Sequence, residues 1–220
     1  AVELMNLAGY DVVSLGNHEF DYGYQNLKDL EADADFAIVD ANVLYNGRVA
    51  FEDNLVFTAP DGTKIGVFGL DTPETATKAH PAKIQGVTFL AGEDLYDCAQ
   101  EQVDALTAEG CNYVICLGHL GIDDESAGNR SIDLLENVDG IDVFIDGHSH
   151  STQADITAAL TAASQAGDAD ISVDSSMVNG TVLTSTGTKL ESVGVVTIDG
   201  ENGSIDAATV STADLTAQGA

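Results

Sequence analysis

Three short apolar runs in this chain each stop at a polar loop that carries glycine and histidine. Val12, Val13 and Leu15 lead into Gly16-Asn17-His18-Glu19-Phe20-Asp21. Residues 113–117 lead into Gly118-His119, and residues 141–145 into Asp146-Gly147-His148-Ser149-His150. Apolar runs of this length, bounded by glycine, read as buried strands of an α/β sheet. Ligands collect at the carboxyl ends of such strands, so the three loops are expected to meet at one sheet edge. Four of the five histidines lie in them, and that concentration points to a metal site.

The rest of the chain supplies elements around these strands. Residues 1–8 have helical spacing (Val2, Met5, Leu7) and stop at Gly9. A strand is predicted at 11–15, and a helix at 23–32 burying Tyr24, Leu27 and Leu30. Another strand is predicted at 36–39. Residues 54–58 and 64–70 flank Pro60-Asp61-Gly62, a hairpin signature. Leu95, Cys98, Ala99, Gln102, Val103 and Leu106 recur with the period of one helix face. A shorter helix is read at 131–138. Beyond His150 the composition changes: residues 151–188 hold no Lys, Arg or aromatic residue. A flexible insertion is expected over 151–180, with at most a short helix around 156–166. Strands are expected at 182–184, 191–198 and 204–210, with Asp199-Gly200 and Asn202-Gly203 as turns. This order suggests a mixed sheet sandwich clad by helices.

Charge narrows the function. Against 37 acidic residues stand only 7 basic ones, a net charge of −30. Nucleic acid is excluded as a partner, because backbone binding needs clustered Lys and Arg. A phosphate substrate would also be repelled unless bound cations reverse the local sign. No run reaches the length of a membrane span. The three cysteines do not form an even disulfide set, and Cys98 and Cys116 read as buried thiols. The chain opens on Ala1 with no initiator methionine and no export signal, and is read as an excerpt of a longer protein.

Imidazole, carboxylate and amide donors suit divalent first-row ions. Paired metals can clamp the attacking and leaving oxygens of a phosphoryl displacement. His18, within reach of Asp21, suits a proton donor whose ring is oriented by a carboxylate. Asp21 also suits a helix cap near Gly23. Taken in order, the three motifs resemble the calcineurin-like metallophosphoesterases. More narrowly they resemble the catalytic domain of the 5′-nucleotidase / 2′,3′-cyclic phosphodiesterase / UDP-sugar hydrolase family, over residues 6–150. The resemblance implies a four-layer αββα sandwich, incomplete at the N-terminus, and two divalent metal ions in the intact parent. It implies that Asn17, His119 and His148 bind the second metal and His150 the first, with His18 and Asp21 as the catalytic dyad. Glu19 and Phe20 would support the loop. It further implies a nucleotide or related phosphoester substrate, and an extracellular, cell-surface or periplasmic setting.

The sequence departs from that pattern. The family's Asp-x-His and Gly-Asp segments should precede Asn17, and neither occurs in the sixteen residues available. A C-terminal nucleotide-binding domain has no counterpart either. Residues 1–220 are therefore expected to be a partial catalytic domain that holds at most one metal well and lacks activity. Zn, Mn, Fe, Mg and Ca all remain open as the metal. The alternative is a non-catalytic surface or binding module that keeps the fold and part of the site. Of the other polar residues, Asp146 reads as an orienting group behind the ligands, and Asp123, Asp124 and Glu125 as a solvated loop. His80 and Arg130 read as surface residues, Arg130 solvated or paired. Asn42 reads as structural.

Overall fold

The computed structural model describes residues 1–167, 170–200 and 202–217. The first half of the chain runs α1 (Val2–Ala8), β1 (Val12–Val13), a 3-10 turn (Asn17–Phe20), α2 (Tyr24–Ala32), β2 (Ala37–Ile38), β3 (Val43–Tyr45), β4 (Arg48–Val49), β5 (Asn54–Thr58), β6 (Lys64–Asp71), α3 (Thr75–Lys78) and β7 (Val87–Phe89). The second half runs α4 (Glu93–Ala108), β8 (Tyr113–His119), a 3-10 turn (Asp124–Ser126), α5 (Ser131–Leu135), β9 (Val143–Asp146) and α6 (Gln153–Ala166). It closes with β10 (Ile171–Ser172), β11 (Met177–Val178), β12 (Thr181–Ser185), β13 (Ser192–Ile198), β14 (Ile205–Ser211) and α7 (Thr212–Ala217).

A seven-stranded sheet in the order β10-β11-β12-β9-β8-β6-β5 organises the molecule. Its centre, β12, β9, β8 and β6, is parallel. In register, Asp71 lies opposite His119 and Leu117 opposite Ile145. The carboxyl ends of β6, β8 and β9 therefore finish near one level, which is what brings their loops together. The hairpin signature holds: β5 and β6 pair antiparallel with Thr58 opposite Lys64, and Gly62 turns at φ +92°.

One hydrophobic cluster joins this sheet to its helices. Leu95, Val103 and Leu106 of α4, Leu134 and Leu135 of α5, and Ile156 and Leu160 of α6 pack with Phe68, Cys116, Phe144 and Leu183. All six apolar-face positions of the amphipathic stretch are buried. A second cluster, with Leu15, Leu27, Phe36, Ile38 and Val43, forms around the parallel β1–β2 pair and α2. The two sheets meet at glycine: Ala41 N–H donates to Gly69 O at 2.9 Å. A methyl group on Gly69 would stand 2.0 Å from the Val39 carbonyl oxygen. The layers follow the order α, β, β, α, as the sandwich expectation required. Among the described residues no helix is long and apolar enough to cross a membrane.

The structure corrects several expectations. Residues 151–180 were expected to be a flexible insertion with at most a short helix around 156–166; the helix is present and longer, α6 running over Gln153–Ala166. Asp168 and Ala169, inside that stretch, lie outside the described residues. Thr152 caps α6 through its hydroxyl, and Ile156 and Leu160 are fully buried. An alanine- and threonine-rich composition understated its length and docking, because two apolar side chains suffice to dock a helix of small residues. Replacing Leu160 with alanine is expected to destabilise the fold by about 2–5 kcal/mol, read as a lowered urea midpoint. An unchanged midpoint would return the segment to a loosely held flap. Leu30, expected inside, is 39% exposed, since only Leu27 of α2 is fully buried. The short strands β3, β4 and β7 were not foreseen, being too brief for any periodicity to register.

Candidate metal centre

Three loops converge at the edge where β1, β8 and β9 end. The Asn17 side-chain oxygen Oδ1 lies 3.1 Å from His119 Nε2 and 3.2 Å from His148 Nδ1. The two imidazole centroids are 5.1 Å apart with their planes inclined at 58°. Asn17 is buried, and the His148 side chain is only 8% exposed.

Glycine makes this approach possible. A methyl group on Gly16 would lie 2.7 Å from the His119 ring, and one on Gly147 2.9 Å from His119 Nδ1. The His119 imidazole is thus seated between two glycine backbones, one from each partner loop. His148 holds a left-handed backbone at φ +73°, which turns the chain back after β9. Asp146 pins this turn: its Oδ1 accepts the N–H groups of Leu120, Gly121 and Gly147 at 3.1, 3.1 and 2.9 Å. One carboxylate therefore ties the His119 loop to the His148 loop. Glu19 secures the first loop in the same way, accepting Gly16 N–H at 2.9 Å.

His18 and Asp21 sit on the outward side of the same turn. His18 Nδ1 and Asp21 Oδ2 are 2.9 Å apart, and both side chains are solvent-accessible. Asp21 makes this contact and no helix-capping bond, since the cap position of α2 is Gly23 without a side-chain cap. His150 stands apart from the converging trio. It lies exposed at φ +55°, lining an open hollow of about 430 Å³ with Asp123, Asp124 and Asp155.

Burial, followed by the like charges of His148, His18 and His150, draws His119 down to about 4. Its ring is accordingly neutral near pH 7, with a lone pair available for coordination. Two imidazole nitrogens and an amide oxygen suit a first-row divalent ion. Among the described residues no three His, Cys, Asp or Glu converge as a metal-binding group, the third donor here being an amide.

The polar residues outside the motifs are occupied structurally. Arg130 pairs with Asp133 at 2.7 Å and with Asp124 at 3.3 Å. Asn42 donates to Asp71 O at 2.8 Å and accepts Asp71 N–H at 2.8 Å. His80 is exposed and accepts Ala82 N–H at 3.2 Å. Burial pushes Cys98 up to about 12, which leaves its thiol inert.

Glu74 was missed in the sequence. Its Oε2 lies 2.9 Å from His148 Nε2. Burial works to raise its pKa, but hydrogen bonds from Lys78, Ser126 and His148 outweigh that and bring it to about 2. The available signal was the apolar run that becomes β6, whose carboxyl end faces the same edge as the recognised loops.

The sequence profile of the calcineurin-like phosphoesterases matches residues 2–152. The trifunctional nucleotide phosphoesterase protein YfkN of Bacillus subtilis is 31% identical over 192 residues, which is 81% of this chain and 12% of that protein. The 5′-nucleotidase of Mus musculus is 32% identical over 153 residues, 67% of this chain and 25% of that protein. This chain thus spans an eighth to a quarter of the length of these relatives. Among solved structures, the calcineurin-like phosphoesterase YfkN from Bacillus subtilis superposes with a TM-score of 0.77 at 27% identity, covering 96% of this chain and 66% of that one. The NAD nucleotidase of Haemophilus influenzae superposes with a TM-score of 0.57 at 32% identity, covering 69% of this chain and 28% of that one.

Proposed function

The chain belongs to the calcineurin-like phosphoesterase family, and on that premise we propose that it forms part of a metal-dependent hydrolase of nucleotides or related phosphoesters. One observation carries the reading: Asn17 Oδ1, His119 Nε2 and His148 Nδ1 converge within 3.2 Å contacts from three separate strand ends. These three would hold a divalent ion, and His150 on the rim would serve a second. Such ions supply an acidified water and positive charge beside the phosphoryl oxygens. That charge also answers the repulsion between a phosphate and a chain of net charge −30.

The dyad does the remaining proton work. With Nδ1 engaged by Asp21, His18 presents Nε2 outward, where it can hold a proton for the departing oxygen. A nucleotide substrate is supported by the names of the relatives above, and an extracellular, cell-surface or periplasmic setting is what the family resemblance implies. We read residues 1–220 as binding one ion well and hydrolysing poorly by themselves, because three donors converge for one ion while His150 stands apart from them.

The test is metal-dependent hydrolysis of a nucleoside monophosphate and of a generic aryl phosphodiester, by this chain and by its full natural reading frame. The longer protein is expected to turn over with Mn2+ or Zn2+. His18→Ala is expected to reduce kcat there by about 10²- to 10⁴-fold, with metal affinity unchanged. Robust hydrolysis by residues 1–220 alone would overturn the single-ion reading. No hydrolysis by the longer protein would favour a non-catalytic binding module.

A further inference from the structure

Glu74 lies in none of the three motif loops, yet it links three sheet-edge segments around His148. It immediately precedes α3, just beyond the end of β6, and its side chain is 16% exposed. One oxygen, Oε2, lies 2.9 Å from His148 Nε2 and 2.6 Å from Lys78 Nζ. The other, Oε1, accepts the Ser126 hydroxyl at 2.7 Å. Lys78 also reaches Glu125 at 2.9 Å. The segment after β6, the turn after β8 and the loop after β9 therefore share one carboxylate.

A neutral imidazole has one proton and two nitrogens on which to carry it. At His148 those nitrogens face unequal acceptors. Nε2 meets a carboxylate at 2.9 Å, whereas Nδ1 meets the uncharged Asn17 amide oxygen at 3.2 Å. A hydrogen bond to an ionised acceptor is roughly twice as strong as one between neutral groups. In the neutral ring Nε2 is accordingly the favoured seat of the proton, donated to Glu74. Nδ1 then directs a lone pair at an oxygen that itself offers only lone pairs. Two such atoms at this separation repel unless something positive lies between or beside them, and His119 Nε2 faces the same oxygen at 3.1 Å. Histidines that ligate metals commonly donate their second N–H to a carboxylate, which fixes both tautomer and ring orientation.

We propose that Glu74 is a positioning residue: it holds His148 in the Nε2–H tautomer, so that Nδ1, Asn17 Oδ1 and His119 Nε2 present their lone pairs to a single cation. The cation in this assignment rests on the metal-centre reading above. Lys78 and Ser126 fix the carboxylate in turn, and Lys78 offsets its charge within a strongly acidic molecule.

The experiment is a long-range 1H–15N correlation spectrum of His148 in the metal-free 220-residue chain, above neutral pH, paired with Zn2+ titration calorimetry. The wild type is expected to show a protonated Nε2 and an unprotonated Nδ1. Glu74→Leu, which has no acceptor, is expected to give mixed tautomers and roughly 10- to 100-fold weaker Zn2+ binding. Glu74→Gln keeps an acceptor oxygen and is expected to recover part of both. Lys78→Met is a surface change that leaves Glu74 in place but looser. It is expected to shift both readouts less and in the same direction, and it keeps the test open if Glu74→Leu fails to fold. A wild-type ring protonated on Nδ1, or a folded Glu74→Leu with wild-type tautomer and affinity, would overturn the assignment. The spectra need no metal and so judge Glu74 by themselves. A wild type that binds no Zn2+ would overturn the metal-centre reading, and with it the cation assigned to these lone pairs.

Discussion

His119→Ala is expected to weaken binding of Mn2+ or Zn2+ by more than about 100-fold, beyond the range seen when only a supporting residue of a metal site is lost. The ring supplies one of three converging donors, and its seat between Gly16 and Gly147 is too confined for another side chain to take its place. Calorimetry at about physiological ionic strength suits the measurement, because screening suppresses loose cation uptake by so acidic a surface. His80→Ala is the matched control, its exposed imidazole accepting only a local backbone N–H. Equal loss in both variants, or loss in neither, would mean that the convergence of Asn17, His119 and His148 is not where the ion binds.

Asp40→Asn is expected to stabilise the chain, and to do so increasingly as pH rises. Asp40 is fully buried, and neither carboxylate oxygen makes a hydrogen bond. Burial pushes it up to about 8, with the N–H groups of Val43, Asn42 and Leu15 near enough to offset part of that electrostatically. The neighbouring Asp71 is also raised, first by burial and then by the Asp40 charge. The folded state therefore retains a proton that the unfolded state releases above its ordinary carboxyl pKa. Stability from this group is fully present below the unfolded pKa of 3.8 and is lost as pH rises towards about 8. The slope is about 1.4 kcal/mol per pH unit while the proton count differs by one. An asparagine does not titrate, so its advantage should be small near pH 4 and amount to several kcal/mol near pH 8. Urea midpoints at mildly acid and mildly alkaline pH would show it. Parallel pH dependence in the two proteins would mean that Asp40 is already solvated or paired.

The site was legible wherever residues that act together are close in sequence. Gly-Asn-His-Glu-Phe-Asp places an amide, an imidazole and a carboxylate on one turn, and the His18–Asp21 contact of 2.9 Å spans only three positions. The Asp-Gly-His-Ser-His run likewise showed its histidines, but not how they divide. His148 turns inward to 8% side-chain exposure, whereas His150 remains on the rim. That division follows from left-handed backbone at both His148 and His150, on either side of Ser149, in the loop after β9, which no alternation rule describes. Helix α6 was legible only as a short helix around 156–166, for a different reason. Its burial rests on Ile156 and Leu160, too few to raise an apolar signal above a background of alanine and threonine.

The sequence by itself determined the α/β class, the three strand-end loops and the donor types available, because each depends on local pattern: apolar runs of strand length, glycine at their ends, imidazole beside amide. Tertiary structure alone decided which donors meet. Packing of the separate β1–β2 pair against the main sheet brings Asn17 to residues 102 and 131 positions away, and register across β6, β8 and β9 sets three strand ends nearly level. It also brings Glu74 to His148 across 74 positions. A lone glutamate after a strand carries no mark of such a partner, since its chemistry is set by the group it faces and that group is chosen by the sheet.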